Sequence, residues 1–481
     1  MQKSAYGKLS IWSKALNAGV WFGYLAMLLT ASFIQDFFDS TSWMAFSAAF
    51  YLICMLQLML ILLGLQHNRR ALLAAKYMLA VLVLSYLWLW LQTWVPYSTY
   101  AQELLFGIDS SLTSSVSWFA PDLTWSVVPE QTQLLLMSEL LVGSFFLLTL
   151  SLLTTQRRLN QLLMTLALAV LIHATVGIVA KYSDVFLMDT AQIDGHYSAA
   201  RAWFINRNHF ASFISLSMCG ALALQYKLWM SSSDSRIGLV LLRQLASGQW
   251  LSLLCLVLGL VALLLSQSRA GFFGFCLAFT LVLMVSGGFK TILAQHKKAL
   301  IGVFIGIGIL TFYFGFELLS RVDFRVLSLG ERGEQWATTL AVIKHEWLLG
   351  YGGNSYATVF QMVRGNEELR PLIYNQAHNE FLHIWLEQGL VGLILWSSVI
   401  ALLLIRALHL LRIATSPVIR SAVIAGLVVV VAALMQSFFD FNLQILSIRL
   451  YFFVIMAMVF AAPSIKYRSS RKKRVRTEPR D

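Results

Sequence analysis

Apolar residues along this chain neither alternate as in half-buried strands nor recur every three or four positions as on an amphipathic helix. They come in runs of about 20 residues, the length that crosses ~30 Å of hydrocarbon. Such runs occupy 15–34, 43–65, 72–95, 133–154, 160–181, 209–229, 250–266, 270–287, 299–316, 380–405, 420–439 and 444–462. The pattern predicts an all-α polytopic membrane protein of about 12 transmembrane helices, with a large polar loop between the ninth and the tenth. Between 250 and 287 one long run is interrupted by Ser266-Gln267-Ser268-Arg269-Ala270-Gly271. An arginine at mid-bilayer costs several kcal/mol on insertion scales, whereas at a helix end it meets water, so the run is divided there.

Composition agrees: 58% of the residues are apolar and 12% charged. The placement of the charges orients the bundle. With a cytoplasmic N-terminus, the inner side receives Lys3, Lys8 and Lys14, the Arg69-Arg70 turn, Arg157-Arg158, Arg236 and Arg243, Lys290, Lys297 and Lys298, Arg406, Arg412 and Arg420, and a basic tail. The other side receives Asp36 and Asp39, then 96–131 with Glu103, Asp109, Asp122 and Glu130 but no Lys or Arg. This follows the positive-inside rule and places both termini inside. It also explains the net charge of +13 without nucleic acid; the tail Arg471-Lys472-Lys473-Arg474-Val475-Arg476 suits anionic headgroups.

Cys54, Cys219, Cys255 and Cys276 all fall inside apolar runs, which suggests packing rather than disulfides or a thiolate metal site. The first run is of full spanning length and lacks a cleavage site, so it is expected to be a retained first span. No internal repeat or separate soluble domain is visible. Residues 1–462 are expected to form a single transmembrane domain, and 463–481 a cytoplasmic tail.

The exceptions to the charge rule point to chemistry. On the outer side the cations are almost all arginine: Arg201, Arg207, Arg269, Arg321, Arg325, Arg332, Arg364 and Arg370, beside Lys181 and Lys344. A guanidinium is a planar fork that grips phosphate oxygens bidentately, where lysine offers a point charge. Pairing with Glu331, Glu334, Glu367, Glu368 and Asp323, or contact with headgroups, is the plainer account of most of them. Arg207 and Arg269 differ, because each sits at the mouth of a span with no acidic residue within several positions. The polar loop then ends in Tyr374-Asn375-Gln376-Ala377-His378-Asn379-Glu380-Phe381-Leu382, which places a histidine where water, a membrane-bound substrate and the cations meet.

Several segments together carry a family likeness: Asn206-Arg207-Asn208-His209-Phe210-Ala211 at the start of a span, Ser268-Arg269-Ala270-Gly271 between two spans, and Ala377-His378-Asn379-Glu380-Phe381-Leu382 followed by Glu387-Gln388-Gly389-Leu390-Val391-Gly392. Arg332 and Trp336, Leu349-Gly350-Tyr351-Gly352, and Asp440-Phe441-Asn442 fit the same pattern. From about residue 200 to 445 the chain resembles the O-antigen ligase and polymerase superfamily.

The resemblance implies a GT-C-like inner-membrane glycosyltransferase, its loop of about 317–379 facing the periplasm. Such an enzyme moves a glycan from undecaprenyl diphosphate to a hydroxyl on lipid A-core, on another lipid-linked glycan, or on a protein. It implies an inverting reaction with no cofactor and no metal. The outer loops contain neither Asp-X-Asp nor a carboxylate cluster of metal-ligand spacing.

The residues themselves lead to the same chemistry. Transfer from a diphosphate requires the leaving group's charge to be stabilised and the acceptor hydroxyl to be deprotonated in part. Without a metal, arginines must do the first, and a histidine suits the second. Arg207, Arg269 and Arg332 are therefore expected on the diphosphate and His378 on the acceptor hydroxyl. Asn379 and Glu380 are expected either to fix the imidazole tautomer or to cap the helix beginning there, with capping ahead for Glu380. Asn208 and His209 are expected to support the site.

Other readings are less apt. His378 and His383 are five apart, about 140° from each other on a helix, which does not suit zinc. His383 and Glu387 are expected to form an internal pair, and His173 to be a core histidine. A short helix at 337–347 and a tight turn at 350–354 would make the loop a cover for the site. Trp94, Trp118, Phe119 and Trp125 read as interfacial anchors. A secondary transporter or lipid flippase shares the outline, but needs charged or broken-helix sites near the midplane, whereas the interior of most spans here carries no Asp, Glu, Lys or Arg, Glu139 in the fourth being a partial exception.

Overall fold

The structure is a computed structural model, and it describes residues 2–34, 40–65, 68–94, 125–183, 199–231, 250–286, 330–363 and 375–465, with a few isolated positions between 305 and 312. The expected span at 299–316, most of 96–131, the basic tail, and Arg321, Arg325, Arg364 and Arg370 lie outside the described residues.

Every regular element among the described residues is helical. In chain order they are α1 (Gln2–Ala31), α2 (Ser40–Leu62), α3 (Arg69–Ala74), α4 (Lys76–Gln92), α5 (Pro129–Leu152), α6 (Gln156–Ser183), α7 (Arg207–Ser231), α8 (Trp250–Leu265), α9 (Arg269–Val285), α10 (Gly330–Ile343), α11 (Tyr356–Val363), α12 (Glu380–Ile413), α13 (Pro417–Ser437) and α14 (Leu446–Ala461). Among the described residues six helices are long and apolar enough to cross a membrane, and α4, α8 and α9 are shorter apolar helices. The protein is a polytopic membrane protein. In hydrocarbon a helix satisfies its backbone internally, which is why such runs fold in this way.

The core is built around α14, every residue of which after Leu446 is buried, with α5, α7 and α13 against it. At the rim, Met44, Leu52, Met55 and Leu58 of α2 are exposed, the lipid-facing counterpart of that core. Glu139, the charged exception in α5, is buried against Arg449 of α14, so the carboxylate is matched inside the bundle. His173 meets the Ser32 hydroxyl through Nε2 at 2.9 Å and packs against Phe33, Trp203 and Phe213, the core histidine expected.

Two expected spans are revised. The run at 72–95 is broken into α3 and α4 at Ala75, while Asn68 caps α3 and donates to Leu150 O and Leu153 O at the end of α5. The run at 380–405 extends to Ile413, but it is interrupted at Gly389, whose φ of 67° and ψ of −172° suit essentially only glycine. The backbone groups freed there are taken up by the segment after α10. Tyr351 N donates to Leu386 O (3.0 Å), Gly352 N to Glu387 O (2.7 Å), and Leu390 N to Trp347 O (2.9 Å). The two glycine motifs are thus halves of one lock: a Cβ on Gly350 would lie 2.4 Å from Gly389 N, and one on Gly389 2.2 Å from Leu348 O.

Residues 330–363 form a cap with its own small core of Val342, Ile343, Tyr351, Tyr356, Val359 and Phe360 against Ala377 and Leu386. The helix expected at 337–347 begins earlier and ends at Ile343. Trp125, expected at the interface, instead donates to Gly350 O at 2.8 Å and helps hold this cap, whereas Trp94 is exposed.

Candidate active site

The turn between α13 and α14 gathers most of the residues singled out from the sequence. It carries Asp440, a buried acid whose Oδ1 accepts from its own neighbour Phe441 N at 3.0 Å, as short acids do in turns. Asn208 of α7 donates to Oδ2 at 2.7 Å. His378 donates through Nδ1 to Oδ1 at 3.2 Å, and His209 Nε2 stands 3.9 Å from the same oxygen. Burial alone would raise the Asp440 carboxyl. The His378 hydrogen bond and the charges of His209, His378 and Arg332 outweigh it and hold the carboxyl well below the usual carboxylate range.

His378 is held from both sides in sequence. The α10 side chains Gln335 and Trp336 donate to Gln376 O (2.7 Å) and Ala377 O (2.9 Å), fixing the segment that leads into it. Asn379 then caps α12 by accepting from Phe381 N and Leu382 N at 3.0 and 3.1 Å. Between these anchors His378 adopts a φ of +49°, a left-handed conformation uncommon for a residue with a side chain. Its ring packs edge-on to Phe441, 5.0 Å between centroids, and the side chain is 32% exposed against 2% for Asp440. Assigned from that bond, the Nδ1 hydrogen goes to Asp440, which leaves the lone pair of the neutral ring on Nε2.

The arginines sit on adjacent helix starts. Arg207 opens α7 immediately before Asn208 and is half-buried, whereas Arg269 opens α9 behind its cap Ser268 and is exposed. The first turns of these helices touch: a Cβ on Gly271 would lie 2.5 Å from the Ala211 Cβ. The N-termini of α7, α9 and α12 thus open on one face, and each adds positive potential there. Arg332 of α10 donates to Phe439 O at 2.6 Å, beside Asp440.

Two expectations change. Glu380 neither caps α12 nor holds the imidazole; its Oε1 accepts from Leu443 N at 2.6 Å and its Oε2 from Gln444 Nε2 at 2.9 Å. Asn379 does the capping and also donates to Phe438 O at 3.3 Å. The imidazole partner is Asp440, read from the sequence only as part of a motif. The available signal was a lone acid between two long apolar runs, in a turn with no basic neighbour in sequence to pair with. His383 and Glu387 form the internal pair expected, Nε2 to Oε1 at 3.1 Å, and that carboxylate also accepts from Tyr356 N. Among the described residues no three His, Cys, Asp or Glu side chains come together as a metal would need.

Residues 254–397 match the family model described as O-Antigen ligase. Over these residues the chain is similar to O-antigen ligases. That region holds Arg269, Arg332, the interlocked glycine motifs and His378, and it supports the resemblance to the O-antigen ligase and polymerase superfamily. Members of this family are glycosyltransferase-like membrane enzymes. The O-antigen ligase match leaves out Arg207, Asn208, His209 and Asp440, of which the fold brings Asn208 and His209 onto Asp440. No curated protein sequence matches the chain.

Proposed function

We propose that this protein is an inner-membrane glycosyltransferase that moves a glycan from undecaprenyl diphosphate to an acceptor hydroxyl at the periplasmic face, as an O-antigen ligase acting on lipid A-core. The observation that carries the reading is the His378–Asp440 pair beneath the N-termini of α7, α9 and α12. One end of His378 is committed to a carboxylate, and the other is left for an acceptor proton.

In this reading the acceptor oxygen attacks the anomeric carbon from the face opposite the diphosphate. The new C–O bond forms as the C–O bond to phosphate breaks, so the configuration inverts and the lipid diphosphate departs with the electron pair. His378 Nε2 takes the hydroxyl proton, and Asp440 stabilises the imidazolium that results. Arg207 and Arg269 hold the diphosphate as forks, with Arg332 as a third contact. No metal takes part.

The topology proposed with it has about 12 spans, the described apolar helices together with 299–316, and both termini in the cytoplasm. The alternation of basic and acidic turns supports it. Residues 1–462 make one domain and 463–481 a tail. The same chemistry on another acceptor would give a polymerase or a protein O-oligosaccharyltransferase.

The test is the surface-glycan ladder of a deletion strain complemented with the wild-type chain or with His378→Ala. Restoration by wild type alone supports the reading: complete loss in the deletion indicates a ligase and a single-repeat band a polymerase. An unchanged ladder excludes lipopolysaccharide as the product.

A further inference from the structure

Glu380 opens α12 two residues after His378, yet its carboxylate faces the far end of the Asp440 turn. Its two oxygens accept from Leu443 N at 2.6 Å and Gln444 Nε2 at 2.9 Å, the last residues of the short 3-10 helix Asn442–Gln444 that follows Asp440 and Phe441. From the α13 side this end of the turn is held by Leu443 packed on the core and by Asn442 Nδ2 donating to Gln436 Oε1 at 3.1 Å, whereas toward α12 it borders open space. A cavity of about 80 Å³ lies against it, lined by Glu380, Gln388, Trp396, Gln444, Arg449 and Phe453 among others. On that open side the hydrogen bonds to the Glu380 carboxyl set the position of the turn.

We propose that Glu380 is a positioning residue: it clamps the Asp440 turn so that Asp440 meets His378 Nδ1. The inference rests on the reading in which His378 and Asp440 handle the acceptor proton. A displacement of 1 Å in such a pair lowers rates by about 100-fold. The start of α12 therefore brings together, within three residues, His378 itself, the helix cap Asn379 and the clamp on the histidine's partner, Glu380.

The full chain, purified and reconstituted with a lipid diphosphate-linked glycan and a glycolipid acceptor, tests this. Glu380→Ala is expected to lower kcat about tenfold or more and to leave KM for the donor within about twofold. Glu380→Gln, which keeps one acceptor for Leu443 N, is expected to recover part of the loss. The loss should not multiply with that of Asp440→Asn, because both act through His378. If Glu380→Ala does not accumulate, Glu380→Asp, one methylene too short to reach both partners, takes its place.

A second readout does not depend on transfer. Carbethoxylation of His378 by diethyl pyrocarbonate, followed by peptide mass, should shift in Glu380→Ala in the same direction as in Asp440→Asn, while buried His173 stays protected. Wild-type kcat, or a loss that multiplies with that of Asp440→Asn, overturns the clamp. If the wild-type chain transfers nothing, the proposed activity fails, and the His378 reactivity decides the clamp alone: an unchanged rate overturns it.

Discussion

Asp440 accepts the Nδ1 hydrogen of His378 at 3.2 Å across 62 residues of chain, from a turn between two buried helices to the mouth of a third. The contact assigns each group a task. The acid is fully buried and already hydrogen-bonded by Asn208, whereas the histidine is partly exposed and retains its second nitrogen.

Asp440→Asn keeps the shape of the side chain but replaces an acceptor that fixes the imidazole tautomer. Transfer is expected to fall by about 100-fold or more with the protein still folded, measured as kcat on reconstituted protein. Near-normal kcat would remove Asp440 from the proton path.

The same carboxyl gives a pH signature in stability. Its native pKa is depressed, so its contribution is present above the ordinary aspartate value of about 3.9 and is lost as pH falls from there toward the lower native value. The gap in Tm between wild type and Asp440→Asn should be flat from about pH 5 to 7 and narrow below about pH 4. A gap that widens on acidification would contradict the sign.

Arg207→Lys and Arg269→Lys keep the charge and lose the fork. Each is expected to lower kcat/KM about tenfold or more, read with the lipid diphosphate donor varied. Full activity in both would assign these arginines to headgroups or topology.

Gly389→Ala puts a Cβ 2.2 Å from Leu348 O, at a φ of +67° that disfavours any side chain. The lock between α12 and the 347–352 segment should loosen at a cost of at least about 1–3 kcal/mol, seen as a lower Tm in detergent. An unchanged Tm would mean that the break in α12 is not fixed by this residue.

The sequence by itself determined the class of fold, because a run of about 20 apolar residues leaves a helix as the only way to satisfy its backbone in lipid. It also marked where Arg207, Arg269 and His378 stand, since charge tolerated at the mouth of a span is legible without coordinates. The break at Gly389 was not legible: hydropathy averages over a window and cannot register one residue's backbone angles, and the groups that satisfy the break come from 347–352, Trp88 and Gln92. The partner of His378 was decided only by tertiary structure. Local spacing offered Asn379 and Glu380, the nearest polar groups, but a helix start directs those side chains to its own amides and to the next turn. The acid that reaches the imidazole arrives from the other end of α13, brought there by the packing of α7, α12 and α14 around one buried turn.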